Sequence, residues 1–260
     1  MIFYFSATGN TLWAAEQVAE ATHERLINMA EAVRNGHFDY VLAVDERIGF
    51  SFPVHGWQLP KVVKTFIRNL HIPNATEHYC YALCTAGDNI GLTMDILETE
   101  LYDKGMPLHS TFSLIMPESY VGLPFMDVDS AEKEQRKVSA SATAIQAYLL
   151  SIVAREHHVH HEVRGRWPRV NTRMLGNYFH RRLVSDRKFH IVADRCVQCG
   201  KCVAVCPMDN MQQQENGMPS WLHTGNCLTC FACYHYCPEH AIEFGRQTRK
   251  KGQYYFGRNH

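Results

Sequence analysis

Cys196, Cys199, Cys202 and Cys206 recur as Cys227, Cys230, Cys233 and Cys237, each 31 residues further along, with Pro207 and Pro238 after the last cysteine of each set. This pattern, C-x2-C-x2-C-x3-C-P written twice, constrains the chain more than any other feature. Thiolates are soft metal ligands, and three of them at three-residue intervals on a tight loop can turn their sulfurs toward one centre. Zinc is the first alternative. Its knuckles, however, are built from paired C-x2–4-C units, not from three cysteines in close series with a trailing C-P. Disulfides are the second. The start of the chain has no basic segment followed by a long apolar one, so no secretory leader is expected, and no apolar run approaches the ~20 residues that span a bilayer. A cytoplasmic location is the expectation, and there ten cysteines point to metal or redox chemistry before disulfides.

The cysteine segment resembles a bacterial two-cluster ferredoxin. The resemblance implies two [4Fe–4S] clusters with crossed ligation. One takes Cys196, Cys199, Cys202 and Cys237, and the other takes Cys227, Cys230, Cys233 and Cys206. Met211 and Ile242 occupy equivalent places in the two halves. They are expected to pack over the clusters, where apolar cover limits water and tunes potential. Cys80 and Cys84 share one face of an expected strand and are read as core residues, since a buried free cysteine behaves as a small hydrophobe.

The first 155 residues alternate strands with helices. Short apolar runs at 2–5, 26–29, 48–52, 79–84 and 112–116 predict strands, and helical spacing predicts helices at 11–21, 59–70, 92–102 and 130–155. Asp129 or Ser130 is the expected cap of the last helix. Such alternation implies a parallel sheet covered on both faces. Residues 30–47 are too few and too polar for a full crossover helix, so the second crossover is expected to be abbreviated.

The first strand empties into Ser6-Ala7-Thr8-Gly9-Asn10-Thr11. A strand, a turn and a helix N-terminus together make an anion site from backbone N–H groups and the helix dipole. The turn has no lysine, so it is not a P-loop for a nucleoside triphosphate, and G-x-G-x-x-G is absent. A neutral cradle of hydroxyls suits one phosphate monoester, although hydroxyl-rich turns also simply cap helices. In this position the loop resembles the FMN phosphate loop of flavodoxins. That resemblance covers residues 1–155. It implies a doubly wound α/β fold, five parallel strands in the order 2-1-3-4-5, with FMN at the carboxyl ends of the strands. Two further loops fall where such a fold would contact the flavin: Pro53-Val54-His55-Gly56-Trp57 and Thr85-Ala86-Gly87-Asp88. Trp57 and Tyr120 are stacking candidates, weighed against ordinary aromatic packing.

The remaining organisation follows. Residues 156–189 read as a basic connecting region with one short helix near 174–183. Residues 190–245 form a small α+β two-cluster ferredoxin domain, and 246–260 a basic, aromatic tail. The run HHVHH at 157–161 is read as a solvated helix end, with metal binding as the alternative. The net charge of zero conceals an asymmetry: residues 1–155 carry 18 acidic and 11 basic side chains (−7), residues 156–260 carry 8 and 15 (+7). Such a basic half can serve nucleic acid, offset bound anionic clusters, or dock on an acidic partner; the last two are preferred here. As a whole, the chain resembles the flavodoxin–ferredoxin fusion proteins of anaerobes, the EFR-type ferredoxins. The resemblance implies electron transfer between two [4Fe–4S] clusters, FMN and an external redox partner protein. The alternatives are an FMN-dependent reductase of a quinone or nitro compound, and a redox- or oxygen-sensing regulator with a degenerate flavin site. No catalytic residue is assigned.

Overall fold

The computed structural model describes residues 1–258. Of the expected tail, residues 259 and 260 lie outside the described residues. Six strands, β1 (Ile2–Tyr4), β2 (Leu26–Asn28), β3 (Ile48–Pro53), β4 (Cys80–Ala86), β5 (Ser110–Ile115) and β6 (Val159–His161), form one parallel sheet. Their order is β2-β1-β3-β4-β5-β6, a flavodoxin-like doubly wound arrangement. Helices α1 (Asn10–Thr22) and α5 (Ala131–Val153) cover one face. Helices α2 (Met29–Asn35), α3 (Lys61–Asn69) and α4 (Thr93–Tyr102) cover the other. The strands are apolar on both sides because both faces are covered. Along β4, Cys80, Ala82 and Cys84 turn toward α2–α4, while Tyr81 and Leu83 turn toward α1 and α5. Cys80 and Cys84 are fully buried, and burial pushes both thiols far up, so they act as packing residues.

Local signals explain the elements. The Asn28 side chain accepts from the N–H groups of Ala30 and Glu31 and starts α2, which ends after two turns at Gly36 (φ 68°). This is the abbreviated second crossover. Ser130 caps α5 through the N–H of Lys133. On α3, Val62, Val63, Phe66 and Ile67 form the buried stripe, and the Phe66 ring lies 5.1 Å from Phe3 and 6.2 Å from Phe38.

The sixth strand corrects the reading of HHVHH as a helix end and carries the sheet past residue 155. Helix α5 ends at Val153, and the left-handed residues Arg155 (φ 55°) and His158 (φ 62°) turn the chain back along β5. Val159, His160 and His161 then pair with Ser110, Thr111 and Phe112. As an edge strand, β6 tolerates histidines: His160 hydrogen-bonds the Thr111 hydroxyl (2.9 Å) and His161 stacks on Tyr148. The connecting region also differs from expectation. It is helical through 168–183, with α6 (Pro168–Val170) followed by widened π-type turns at Asn171–Gly176 and Phe179–Leu183.

The C-terminal unit contains β7 (Phe189–Ile191), α7 (Lys201–Ala204), β8 (Met211–Gln213), β9 (Pro219–Trp221), α8 (Ala232–His235) and β10 (Ile242–Phe244). Strands β7 and β10 pair antiparallel, as do β8 and β9. The sequence repeat is also a backbone repeat. Left-handed residues occur at Gln198 and Thr229, at Gly200 and Phe231, and at Asp209 and His240. Among the described residues no helix is long and apolar enough to cross a membrane. Phe66→Ala should cost about 3–5 kcal/mol, read as a lower midpoint in thermal unfolding; an unchanged midpoint would mean that the α3 face does not anchor the sheet.

Candidate functional site

At the carboxyl ends of β1, β3, β4 and β5 the loops enclose a cleft of about 260 Å³. Ser6, Ala7, Thr8, Asn10 and Thr11 line it from the first loop, residues 53–57 from the second and 85–88 from the third, with Tyr120 beyond β5. Gly9 alone of the residues singled out in these loops stands behind it. Its φ is 95°, and a Cβ there would lie 2.9 Å from that of Phe256, so glycine is required on two counts.

The polar side chains of the first loop are mostly engaged with their neighbours. Asn10 donates from Nδ2 to the Pro117 carbonyl (3.0 Å) and accepts at Oδ1 from the Tyr254 hydroxyl. Thr11 shares a hydrogen bond with Thr85 (2.7 Å), and Ser6 accepts from the Gly9 N–H (3.2 Å). No side chain caps α1. Its first turn, with Asn10 and Thr11, borders the cleft, and uncapped N–H groups with the helix dipole there fit a phosphate.

The second loop is clamped from outside. Gly56 (φ 53°) has the Phe179 ring 2.6 Å from where a Cβ would stand, and His180 donates from Nε2 to the His55 carbonyl (2.8 Å). Gln58 donates to the Thr172 carbonyl (2.9 Å) and to Asn177 (2.8 Å). The connecting region is thus a wall of the cleft. Burial, with His180 nearby, pushes His55 down to about 3, so its ring is neutral. Trp57 lines the cleft with a left-handed φ of 58°. Tyr120 meets Phe179 and Phe231 edge-on, at 5.2 and 5.4 Å.

Sequence reasoning missed nine residues of the cleft, among them Glu118, Phe179, Thr229 and Cys230, the last expected only as a cluster ligand. Glu118 Oε1 accepts from the N–H groups of Ser119 and Tyr120, while Oε2 lies 2.2 Å from the position a Gly87 Cβ would take. Burial raises its pKa. A lone charge three positions after the apolar run of β5 was the available signal. Phe179, Thr229 and Cys230 come from remote segments, and nothing local pointed them at this cleft.

The eight repeated cysteines fall into two groups. Cys196, Cys199, Cys202 and Cys237 line one hollow with Ile191 and Ile242. Cys206, Cys227, Cys230 and Cys233 line another with Met211 and Trp221. Backbone N–H groups point at sulfurs in matching places: Asn210 at Cys206 (3.3 Å) and Ala241 at Cys237 (3.2 Å). Burial pushes Cys202 and Cys227 up to about 11 and Cys230 up to about 12, so thiolates here require a cationic partner. Among the described residues no three His, Cys, Asp or Glu side chains converge on a single-ion site. Four thiols spaced around a hollow, with N–H donors and apolar cover, fit a multi-iron group.

A seam joins hollows and cleft. His235 of α8 donates from Nε2 to the Ser119 carbonyl (2.7 Å) and accepts at Nδ1 from the Tyr254 N–H (3.1 Å). The Lys251 ammonium donates to the carbonyls of Val121 (3.0 Å), Leu123 and Met126 (2.6 Å). The tail continues to the first loop, where Phe256 N–H meets the Thr8 carbonyl (2.8 Å) and the Phe256 ring packs on Trp13.

Comparison with known proteins bears on the cysteine-bearing segment. Residues 188–238 match the 4Fe-4S dicluster domain family. A ferredoxin of Pyrobaculum islandicum is 38% identical over 71 residues, 25% of this chain and 65% of the relative. Ferredoxin-1 of Caulobacter vibrioides is 33% identical over 67 residues, 25% of this chain and 58% of the relative. The chain thus spans less than two thirds of the length of either ferredoxin. An FMN-dependent NADH-azoreductase of Bacillus anthracis, solved with FMN, overlaps 58% of this chain and 98% of its own at 9% identity and a TM-score of 0.37. At that score the overlap carries no argument, and the strand order rests on the pairing of the strands themselves. The C-terminal region thus carries a 4Fe–4S dicluster ferredoxin domain, beside a sheet with flavodoxin-like strand order.

The seam is pH-sensitive. Burial pushes His235 down to about 4 from an ordinary 6.5, and the Ser119 carbonyl that accepts from its Nε2 offsets only part of this. The unfolded ring takes up its proton below 6.5 and the folded ring only near 4. Stability is therefore full above pH 6.5 and falls between 6.5 and 4, by on the order of 3 kcal/mol. His235→Gln should flatten this slope in denaturation midpoints measured at pH 7 and pH 4.5; an equal slope in both proteins would refute the assignment.

Proposed function

We propose that this chain is an electron-transfer protein in which FMN occupies the cleft, two [4Fe–4S] clusters occupy the thiol hollows, and an external redox protein exchanges electrons with them. The observation that carries the reading is Cys230, which lines both the second hollow and the cleft. A thiol of one candidate redox site is a wall of the other. When bound, clusters pass single electrons, and FMN accepts one or two.

The chain's own residues would do the rest. The uncapped start of α1 holds the phosphate, and Gly9 lets the tail close behind the loop. Trp57, Tyr120 and Phe179 supply aromatic surface to the flavin, and their packing restricts water. Glu118, whose burial raises its hold on a proton, can keep one at Oε2 beside Gly87. Cys196, Cys199, Cys202 and Cys237 would hold one cluster, with Cys227, Cys230, Cys233 and Cys206 on the other. Ile242 and Met211 cover them. Cys202 and Cys233, from different sets, are close enough for their charges to oppose one another, which supports transfer between the two clusters.

Anaerobic reconstitution should give about eight irons and one FMN per chain. Replacing Thr8 and Asn10 with Val and Leu should release FMN and leave iron unchanged. Reductive titration should then show the clusters reducing alone. Zinc in place of iron, or FMN that stays oxidised while the clusters cycle at potentials where it should reduce, would end the proposal.

A further inference from the structure

A second cavity, of about 740 Å³, shares Tyr120 and Leu123 with the cleft and is bounded by Cys227 and the 181–188 segment. Arg181, Arg182, Arg187 and Lys188 all line it and all are exposed. Among the described residues none of the four has an acidic partner. The only carboxylate in the lining, Asp186, is already engaged. It accepts from Asn210 Nδ2 (2.9 Å) and stands 3.0 Å from His223 Nδ1.

The positive excess of the second half of the chain is therefore not used up at the seam. Lys251 sits on carbonyls there. Of the ion pairs between the halves, Arg164–Asp95 follows the charge asymmetry and Arg34–Asp209 runs against it. Four cations without an acidic partner, Lys188 among them over the Phe244 ring (5.7 Å), leave a strongly positive hollow.

We propose that this cavity binds a small organic polyanion bearing carboxylate or phosphate groups. Its volume is within the range of small-molecule sites. Guanidinium groups present paired N–H donors that match carboxylate and phosphate oxygens. Leu183, Val184 and Phe244 offer apolar surface for an organic body. Binding needs none of the cofactors; its value to electron transfer, through the neighbouring Cys227 and Tyr120, rests on the function proposed above.

The test is calorimetric titration of the reconstituted full chain with citrate and, separately, pyrophosphate, at fixed ionic strength. One saturable site is expected for at least one probe, and the stronger of the two distinguishes carboxylate from phosphate recognition. Arg181→Gln with Arg187→Gln should weaken it by about tenfold or more, with iron and FMN content unchanged. Three results would overturn the proposal. Neither probe saturates; the double variant binds both as before; or the variant loses iron, in which case the arginines serve the charge of a cluster. Slower exchange with an acidic redox protein in the variant, without binding of either probe, would make the cavity a docking surface and also refute it. Failure of the FMN and iron analysis would leave the titration readable, so the two proposals fall separately.

Discussion

The structure depends on how Lys251 is placed. A single ammonium donates to three carbonyls of the loop that leaves β5, the loop that also carries Ser119 and Tyr120. With His235 and Gln247, which hold the Ser119 and Gly122 carbonyls, it fixes one backbone segment against the cysteine-bearing unit. An interface made of charge-assisted and buried hydrogen bonds to main chain is directional, and leaves little freedom of register. Burial lowers the proton affinity of Lys251, and the Asp127 carboxylate nearby offsets part of that effect. The distance between thiols and cleft is set here and not by a linker.

Much of the fold could be read from the chain because its signals are local. Five apolar runs with helical patterns between them can close only as a parallel sheet with crossovers, and the hydroxyl-rich turn after β1 identifies the end of the sheet at which a ligand would sit. Spacing set Cys206 and Cys237 apart from the loops of their own triplets, and the resemblance to two-cluster ferredoxins supplied their crossed grouping. Cys80 and Cys84 could be placed in the core by strand period alone.

What could not be read is what arises between segments far apart in sequence. β6 has no apolar alternation, because an edge strand needs none; it exists because β5 offers an open side and because Arg155 and His158 turn left-handed. The 168–183 segment has no clean 3.6 period, since its widened turns shift the buried side chains off that spacing. Gly176 and Phe179 are nonetheless fitted against Gly56. The tail looked like a basic terminus. Its function in the fold rests on Tyr254 and Phe256, whose partners Asn10 and Thr8 are some 240 positions earlier.

The two cysteine repeats share their left-handed turns, but glycine at position 200 is replaced by Phe231 at the matching place. An aromatic residue at φ 60° carries a backbone cost that glycine avoids. In exchange the ring reaches Phe189, Phe244 and Tyr120 together, at 5.2, 5.2 and 5.4 Å. A unit with approximate internal twofold symmetry has thereby acquired a front and a back. The half containing Phe231 faces the sheet, so the group with Cys230 borders the cleft and the group with Cys196 does not.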